Sequence, residues 1–407
     1  MKGDMYLARS TDERILERAE YGGVVTSLLK FALESKMVDA VLAVKARDGN
    51  RFDGIPVLIT DSEEVINTAG ALHCSSPNIA RCLKEYLDGA FDMKIAVVCK
   101  PCDARGIIEL AKRNQIDLGN LLLVGLNCTG TLPSVGAKEM FREEFGVEPS
   151  EVVREDIDEG KLRIWLKDGT EKAKDLAELE EKGYGRRENC RRCDFNIPRM
   201  ADIACGKWGT EEIKDRKVTF IEICSDKGSE LVEKAVQAGV IKVESPGNTA
   251  IEARRRKDEE EIKQARKWQE RDFAFFKEMG TEERFNYWSA EFSQCIKCFG
   301  CRDACPICYC KDCSLEADRG IVVGGEVPPN VMFPMIRTIH VVDSCVNCGQ
   351  CQDACPSELP LSRFIHMLNK EISAIFKYEP GVDVETLPPL RSVTDKELTM
   401  PGVEIAF

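Results

Sequence analysis

Apolar and polar positions along the first 150 residues predict helices and strands in alternation. Short apolar runs such as Leu121–Leu126 (LLLVGL) are typical of buried strands, and segments with apolar residues every three or four positions are typical of helices. The predicted strands are 39–45, 55–60, 94–99 and 121–126. The predicted helices are 22–34, 62–67, 78–87, 102–113 and one that begins near 133. This alternation predicts an α/β layer with a largely parallel sheet.

The pattern changes after residue 150. A hairpin is predicted over 151–170, with its turn at Gly160, and a polar helix follows it. The later predicted elements are a strand at 218–223, a helix at 228–238 and a short strand at 240–243. The charged segment Ile251–Phe276 is typical of a solvated helix that links domains. The Pro-rich tail from Tyr378 predicts a docking arm rather than a packed domain.

Composition and charge exclude several classes of protein. A length of 407 residues predicts about two or three domains, and 43% of the residues are apolar, with no run long enough to span a bilayer. The net charge of −13 argues against nucleic acid or an anionic membrane as partner. The first ten residues do not resemble a secretion signal, so the 20 cysteines indicate metal sites in a reducing cytoplasm. Neither G-x-G-x-x-G nor a P-loop is present.

Two cysteine runs in the last third of the chain carry the clearest chemistry. CIKCFGCRDACP begins at Cys295 and CVNCGQCQDACP begins at Cys345, and both have the spacing C-x2-C-x2-C-x3-C-P. This spacing is the bacterial ferredoxin signature for 4Fe-4S clusters, in which the fourth cysteine of each run binds the other cluster. A zinc ribbon would use separate C-x2-C pairs instead. The predicted ligands are Cys295, Cys298, Cys301 and Cys355 for one cluster, and Cys345, Cys348, Cys351 and Cys305 for the other.

Four cysteines further upstream predict a third 4Fe-4S cluster, and they are Cys102, Cys128, Cys190 and Cys193. The first two follow predicted strands, where ligands gather in open α/β sheets, and the last two form a C-x2-C pair. Cys205 is the substitute if one of the four is not a ligand. The C-x2-C spacing of Cys99 and Cys102 also permits a thioredoxin-like interpretation, although Cys99 lies on a strand that should be buried.

The remaining cysteines leave alternatives open. Those that exceed the needs of two clusters are Cys308, Cys310 and Cys313. They could bind a further metal, replace a fourth ligand or have no such role. Those predicted to be small buried apolar side chains are Cys74, Cys82 and Cys224.

Four segments of the first 245 residues resemble one protein family. They are YGGVVTSLLKFALE from Tyr21, VCKPCDARGIIELAK from Val98, GLNCTG from Gly125 and CRRCDFNIPRMADIACGKWG from Cys190. They are similar to the beta subunits of the coenzyme F420-reducing hydrogenase and the F420-dependent formate dehydrogenase of methanogens. The formate dehydrogenase members are the most similar, because here the ferredoxin module follows this domain. One departure is Cys205, where the family commonly has serine or valine.

The resemblance implies the chemistry of the chain. The family domain binds FAD and one 4Fe-4S cluster, and it passes hydride between the flavin and coenzyme F420. A separate alpha subunit with a molybdenum or tungsten pterin would oxidise formate and supply the electrons. One alternative is a flavin subunit that serves a hydrogenase or heterodisulfide reductase complex. Another is a polyferredoxin-like relay and docking protein that is not an enzyme.

The predicted FAD contacts lie in the matching motifs. Gly22, Gly23 and Thr26 begin a helix whose N–H groups could hold a pyrophosphate, and the alternative is an ordinary glycine turn. The other predicted contacts are His73, Ser76, Pro77, Asn78, Lys100 and Pro101. No catalytic acid or base is predicted, because hydride transfer between flavin-like rings needs none at carbon. The basic residues proposed to attract the polyanionic F420 are Lys45, Arg187, Arg191 and Arg192.

These expectations combine into one predicted organisation. An α/β (α+β) flavin domain with a mixed sheet should occupy residues 1–245 and bind FAD, F420 and one cluster. A charged helical linker should follow at 246–289, and a small two-cluster 4Fe-4S ferredoxin-like domain at 290–370. Residues 371–407 should form the docking tail. The protein is expected to be cytoplasmic, with no nucleic-acid partner and no membrane span.

Overall fold

The computed structural model describes residues 2–74, 76–213, 215–310, 313, 315–316 and 331–391. Within these ranges, no helix has both the length and the apolar character that crossing a membrane requires.

Eleven strands are described. They are β1 Met5–Ser10, β2 Ala40–Arg47, β3 Asn50–Ile59, β4 Ile95–Cys99, β5 Leu121–Leu126, β6 Val152–Asp158, β7 Lys161–Leu166, β8 Glu171–Asp175, β9 Ile203–Gly206, β10 Thr219–Ile223 and β11 Ile241–Glu244. Eight of them form one sheet in the order β11-β1-β10-β9-β5-β4-β2-β3, and β6, β7 and β8 form a separate antiparallel sheet.

The large sheet is mixed, as expected, and its parallel part is the one that the first 150 residues predict, except that β3 is antiparallel to β2. The pairs β2–β4, β4–β5 and β5–β9 are parallel, whereas β2–β3, β9–β10, β1–β10 and β1–β11 are antiparallel. Helices cross over between the central parallel strands, whereas β2 and β3 are joined by a short turn that only antiparallel strands permit. Strands β1, β8 and β9 are short and were not predicted from the sequence.

Fourteen α-helices are described. They are α1 Glu13–Arg18, α2 Val24–Glu34, α3 Ala80–Tyr86, α4 Pro101–Ala111, α5 Ser134–Glu143, α6 Leu176–Glu181, α7 Glu188–Arg191, α8 Asp226–Gln237, α9 Gly247–Glu278, α10 Thr281–Phe292, α11 Gly300–Asp303, α12 Met332–Val341, α13 Gln350–Asp353 and α14 Leu361–Phe376. The predicted helix at 62–67 is a 3-10 segment, Ser62–Thr68.

Helices cover both faces of the large sheet. Alternate residues of β2 enter two different cores, because side chains of a strand point to opposite faces. Val41 and Ala43 pack with residues of α2 and α8, and Leu42 packs with residues of α3 and α4. The small sheet forms a third core with α5 and α6. This layering leaves the carboxyl ends of the parallel strands open on one side.

The predicted charged helix is present as α9, but one of its faces is buried rather than solvated. Arg254 is 1% exposed and pairs with Glu222 of β10 at 3.2 Å. At its other end, Phe276 stacks on Trp288 of α10, and an aromatic core joins α9, α10 and α14. The helix therefore fixes helices α10–α14, between which the two cysteine runs lie, to the sheet domain.

The first part of the predicted docking arm packs against α4 through the buried carboxylate of Glu109. Its Oε1 accepts hydrogen bonds from Tyr378 OH and Gly381 N, at 2.5 and 2.7 Å, and from Lys112 Nζ at 3.0 Å. Its Oε2 accepts from Arg113 Nη1 at 3.0 Å. Burial alone would raise the pKa of Glu109, but these donors outweigh burial and hold the pKa below its usual range. Residues 392–407 of the predicted arm lie outside the described residues.

We predict that Glu109→Gln destabilises the protein by about 3–5 kcal/mol, because it removes the buried carboxylate that Lys112 and Arg113 share. Because the folded pKa of Glu109 is depressed, its stabilisation is present above the ordinary carboxyl pKa of about 4.3 and is lost as pH falls through the folded value. Thermal unfolding should therefore show a gap between wild type and variant at pH 7 that narrows in acid. The control Glu230→Gln removes an exposed ion pair and should cost about 1 kcal/mol or less.

Candidate functional site

A cavity of about 260 Å³, called the large cavity here, opens at the carboxyl ends of the parallel strands. Its walls include Val98 at the end of β4, Leu126 at the end of β5 and Cys205 near the end of β9. Ligands bind at this edge of open α/β sheets. The large cavity is therefore the position at which the fold predicts a cofactor or substrate.

The N-terminus of α2 faces the large cavity. Gly23 precedes the helix with φ +68°, no side chain caps this end, and Gly23 and Thr26 both line the cavity. Uncapped N–H groups at a helix N-terminus attract phosphate oxygens. Gly22 does not line the cavity. A Cβ at Gly22 would lie 2.5 Å from the carbonyl oxygen of Ala8, so this glycine is required by close packing.

A charged cluster on the other side of the large cavity centres on Asp156 of β6. Lys207 Nζ lies 3.0 Å from both carboxylate oxygens of Asp156, and Tyr21 OH donates to Oδ2 at 2.9 Å. His73 Nε2 lies 3.6 Å from Oδ1. Burial alone would raise the pKa of Asp156, but Lys207, His73 and Tyr21 outweigh it and hold the pKa below its usual range. Only His73 of this cluster was predicted from the sequence, because the four residues of the cluster do not share one sequence motif.

The four cysteines of the third predicted cluster line one cavity, called cysteine cavity 3; they are Cys102, Cys128, Cys190 and Cys193. Cys102 begins α4 just after β4, and Cys128 follows β5, so the sheet edge brings them together. Burial raises the pKa of Cys102, that of Cys128 to about 11 and that of Cys193 to about 12. Buried thiols of this kind are held as neutral groups until a metal displaces their protons.

The two ferredoxin-type sets also line one cavity each. Cysteine cavity 1 is lined by Cys295, Cys298, Cys301 and Cys355. Cysteine cavity 2 is lined by Cys305, Cys345, Cys348 and Cys351. In both, the fourth side chain comes from the other run, as the signature predicts.

The donor set of all three cysteine cavities fits a cluster. Within the described residues, no three His, Cys, Asp or Glu side chains are grouped closely enough to hold a single metal ion. The ligands of a zinc ion converge on one point at about 2.3 Å, whereas each cysteine of a 4Fe-4S cluster binds a different iron. Four cysteines lining each cavity are the donor set that such a cluster requires.

The cavities are joined in a series by shared walls. The large cavity and cysteine cavity 3 share Ser76, Lys100 and Cys128. Cysteine cavities 3 and 2 share Asn347 and Cys348. Cysteine cavities 2 and 1 lie at opposite ends of α12, which lines both.

The loops of cysteine cavities 3 and 2 meet at a reciprocal pair of amides. Asn189 Nδ2 donates to the carbonyl oxygen of Asn347 at 3.0 Å, and Asn347 Nδ2 donates to that of Asn189 at 2.9 Å. Gly349 has φ +75°, and a Cβ there would lie 2.0 Å from Asn189 Oδ1. Only glycine permits this approach, so the backbone next to Cys348 lies directly against the loop of Cys190.

The remaining predicted cofactor contacts divide between two cavities. His73, Ser76 and Lys100 line the large cavity, and Asn78 and Pro101 line cysteine cavity 3. Lys100 Nζ lies in the wall between them and donates to Ser76 Oγ at 2.9 Å, to the Pro77 carbonyl oxygen at 3.0 Å and to Asp103 at 2.8 Å. Pro77 lines neither cavity, and its carbonyl orients Lys100.

The basic residues proposed for F420 do not line the large cavity. Arg192 is fully buried against Asp272, Arg191 lies over Trp268, and Arg187 lines cysteine cavity 3. Lys45 lies on β2, outside the large cavity's lining. Among the described residues, the basic side chains that line the large cavity are Lys100 and Lys207. Arg187 and Arg192 instead bind Asp353 and Ser362 near the ferredoxin-type cysteines. Their charge alone does not reveal this role.

The other cysteines occupy different surroundings. Cys205 is buried and lines the large cavity, outside cysteine cavity 3, and Cys99 is buried on β4. Cys74 is buried, while Cys82 and Cys224 are half-buried. Contact with the Cys308 thiol lowers the pKa of Cys305 to about 5. Cys310 is exposed and Cys313 is half-buried.

Comparisons with known proteins show the family of the chain. Family profiles described as coenzyme F420 hydrogenase/dehydrogenase, beta subunit, match at residues 5–81 for the N-terminal part and 92–249 for the C-terminal part. F420-dependent formate dehydrogenase subunit beta of Methanocaldococcus jannaschii is 47% identical over 95% of this chain and 98% of the relative. F420-dependent formate dehydrogenase 1 subunit beta of Methanococcus maripaludis is 43% identical over 96% of this chain and 98% of the relative.

More distant relatives match the first domain and part of the rest. The coenzyme F420 hydrogenase subunit beta of Methanococcus voltae is 29% identical over 64% of this chain and 93% of the relative. A chain of the F420-reducing nickel–iron hydrogenase complex from Methanosarcina barkeri superimposes with a TM-score of 0.58 at 22% identity. The superposition covers 69% of this chain and 95% of the hydrogenase chain. This similarity shows a shared fold.

The fold and the relatives together define an oxidoreductase subunit linked to coenzyme F420. The chain belongs to the coenzyme F420 hydrogenase/dehydrogenase beta-subunit family. The resemblance to its formate dehydrogenase members is confirmed by the two relatives that match over nearly the whole length.

We predict that Cys190→Ser lowers the iron content of the anaerobically reconstituted chain from about twelve to about eight atoms, the loss of one cubane. The control is Cys205→Ala, which removes a buried cysteine of the large cavity and should leave about twelve. Iron analysis and the visible absorption of the clusters provide the measurement. Full iron in Cys190→Ser, or the same loss in Cys205→Ala, would show that the ligand set is wrong.

Proposed function

We propose that the chain connects formate oxidation in a partner subunit to the reduction of coenzyme F420. It does so through three 4Fe-4S clusters in the cysteine cavities and FAD in the large cavity. The observation that carries this proposal is the series of shared walls, which lines up four cavities with cysteine donors in the first three. When bound, FAD exchanges one or two electrons, so it can join one-electron clusters to the hydride chemistry of F420.

The lining of the large cavity supports FAD as its occupant. The N-terminus of α2 is suited to the pyrophosphate, because Gly23 leaves the first-turn N–H groups accessible and uncapped. Lys100 and Lys207, each paired with an aspartate, place fixed polar groups at two sides of the cavity. Val24, Leu29 and Val98 provide apolar walls that exclude water from the reacting rings.

The same residues would contact F420, which carries several negative charges. Lys207 is held by Asp156 and by the carbonyl oxygen of Ile157, at 3.0 Å, so its position is fixed before a ligand arrives. Lys100 is fixed by Asp103 in the wall next to cysteine cavity 3. Both ammonium groups therefore have fixed positions, although the paired aspartates leave this part of the cavity wall without net positive charge.

Electrons should enter at cysteine cavity 1. Of the twelve predicted ligands, all within the described residues, Cys298 alone is exposed. Ile296 beside it is 45% exposed, and Met332 at the start of α12 is 48% exposed. We assign the docking of the electron-donating subunit, which would carry a molybdenum or tungsten pterin, to this end of the chain.

We predict that the reconstituted chain binds about one FAD and oxidises reduced F420 with an artificial dye, without any other subunit.

Gly23→Ala should weaken FAD binding at least about tenfold, or about 1.4 kcal/mol, because its Cβ would lie 2.9 Å from Ile15 and displace the start of α2. Gly247→Ala is the matched control: it has φ +69°, almost the same as Gly23, but nothing lies within 4 Å of its Cβ. Equal FAD affinity in both variants would contradict the assignment of the large cavity.

The identity of the donor can be tested by copurification. We expect the tagged chain, isolated anaerobically from a methanogen, to bring with it a subunit that contains molybdenum or tungsten. Metal analysis distinguishes this partner from a nickel-containing hydrogenase. Nickel without either pterin metal would favour the alternative, in which the same domain serves a hydrogenase.

A further inference from the structure

Arg337 lies between cysteine cavities 1 and 2. Helix α12 contributes Phe333 and Pro334 to the wall of cysteine cavity 1 and Arg337 to the wall of cysteine cavity 2. The Arg337 side chain is 2% exposed, and its Nη2 donates to the carbonyl oxygen of Cys301 at 2.8 Å. The guanidinium is therefore fixed in the space that separates the two ferredoxin-type sets.

The charge of Arg337 has no carboxylate partner among the described residues. Its Nε and Nη1 are buried and make no hydrogen bond. Other buried arginines differ: Arg192 pairs with Asp272 at 2.6 Å, and Arg254 pairs with Glu222 at 3.2 Å. A buried cation without an anion is strongly disfavoured, so a negative charge is expected beside Arg337.

The guanidinium lies beside predicted cluster ligands. Arg337 lines cysteine cavity 2 together with Cys305 and Cys351, and it donates a hydrogen bond to the backbone of Cys301, a predicted ligand of cavity 1. These cysteines include ligands of both ferredoxin-type sets. A 4Fe-4S core with four thiolates carries net negative charge, and each added electron increases it. The missing anion of Arg337 is thus supplied by the clusters themselves.

We propose that Arg337 tunes the potentials of the ferredoxin-type clusters. Its fixed positive charge and the unpartnered N–H groups of Nε and Nη1 stabilise the reduced clusters of cysteine cavities 1 and 2. The effect is greater in cavity 2, because Arg337 lines that cavity. Charge and hydrogen bonds to sulfur are the factors that set cluster potentials. A higher potential in cavity 2 makes electron transfer from cavity 1 to cavity 2 more favourable. This inference rests on the proposed function, in which these cavities hold 4Fe-4S clusters.

The test is a redox titration followed by electron paramagnetic resonance on the full reconstituted chain. It is performed in the Cys190→Ser background, so that the two ferredoxin-type clusters titrate alone. In Arg337→Met, the ratio of reduced to oxidised cluster at the higher-potential step should fall at least tenfold at a given applied potential. For a one-electron step, this corresponds to a midpoint potential that is lower by about 59 mV. Arg337→Lys keeps the charge and should remain within about threefold of the parent.

The matched control is Arg302→Met. Arg302 lies in the same region, but Glu316 at 2.7 Å and Asp303 at 2.9 Å neutralise its charge. Its loss should change the ratio by less than about threefold. A tenfold fall in Arg302→Met as well would show that any nearby arginine has this effect and would overturn a special role for Arg337.

The remaining outcomes also decide the question. Full iron with unchanged potentials in Arg337→Met would overturn the inference, and so would an equal fall in Arg337→Lys. If Arg337→Met fails to take up iron, Arg337→Gln replaces it as the neutral variant, and equal potentials in the glutamine and lysine variants would overturn the inference. Failure of the cluster assignment in the proposed function is distinct, since the parent would then show no reduced-cluster signal at all.

Discussion

The arrangement of the whole chain depends on the contact between the loops of Cys190 and Cys348. Asn189 and Asn347 exchange two hydrogen bonds between side chain and backbone, and Gly349 allows the loops to approach each other closely. Without this contact, cysteine cavities 3 and 2 would belong to separate domains with no shared wall. With it, helices α10–α14 and the sheet domain form one continuous series of cavities.

Buried charges hold this contact in place. Arg187 binds Asp353 of α13 at 2.7 Å, and Arg192 reaches Ser362 of α14 as well as Asp272. Breaking a buried ion pair is costly, because the remaining charge stays uncompensated. The arginines that surround Cys190 in sequence therefore act mainly between domains. This explains why they are absent from the large cavity, although an anionic substrate gave a reason to expect them there.

The cysteine sets could be predicted from the sequence because the patterns that identify their members lie within short segments. The spacing of each ferredoxin-type run fixes three ligands on one turn, and Cys102 and Cys128 each follow a strong apolar strand. The helices of the first domain were predicted for the same reason. Strands β1 and β9 were missed since each pairs with strands far away in the chain, and β9 has only four residues.

The ion pair of Asp156 and Lys207 in the large cavity could not have been predicted from sequence. Asp156 and Lys207 come from different elements, and only the fold brings them to 3.0 Å. Arg337 is similar: nothing in the sequence MFPMIRTIHV distinguishes its arginine from a surface residue. Burial of a charge depends on packing. Residues that tune a site therefore become visible only in the structure, whereas residues that bind its metal can be recognised in the sequence.

Anomalous diffraction at the iron absorption edge, from crystals of the reconstituted chain, tests the central claim most directly. The account predicts three iron peaks, one in each cysteine cavity, with the peak of cavity 2 between the other two and that of cavity 3 next to the large cavity. A cysteine cavity without iron would contradict it. So would a third peak beside Cys308, Cys310 and Cys313 in place of the one at Cys190.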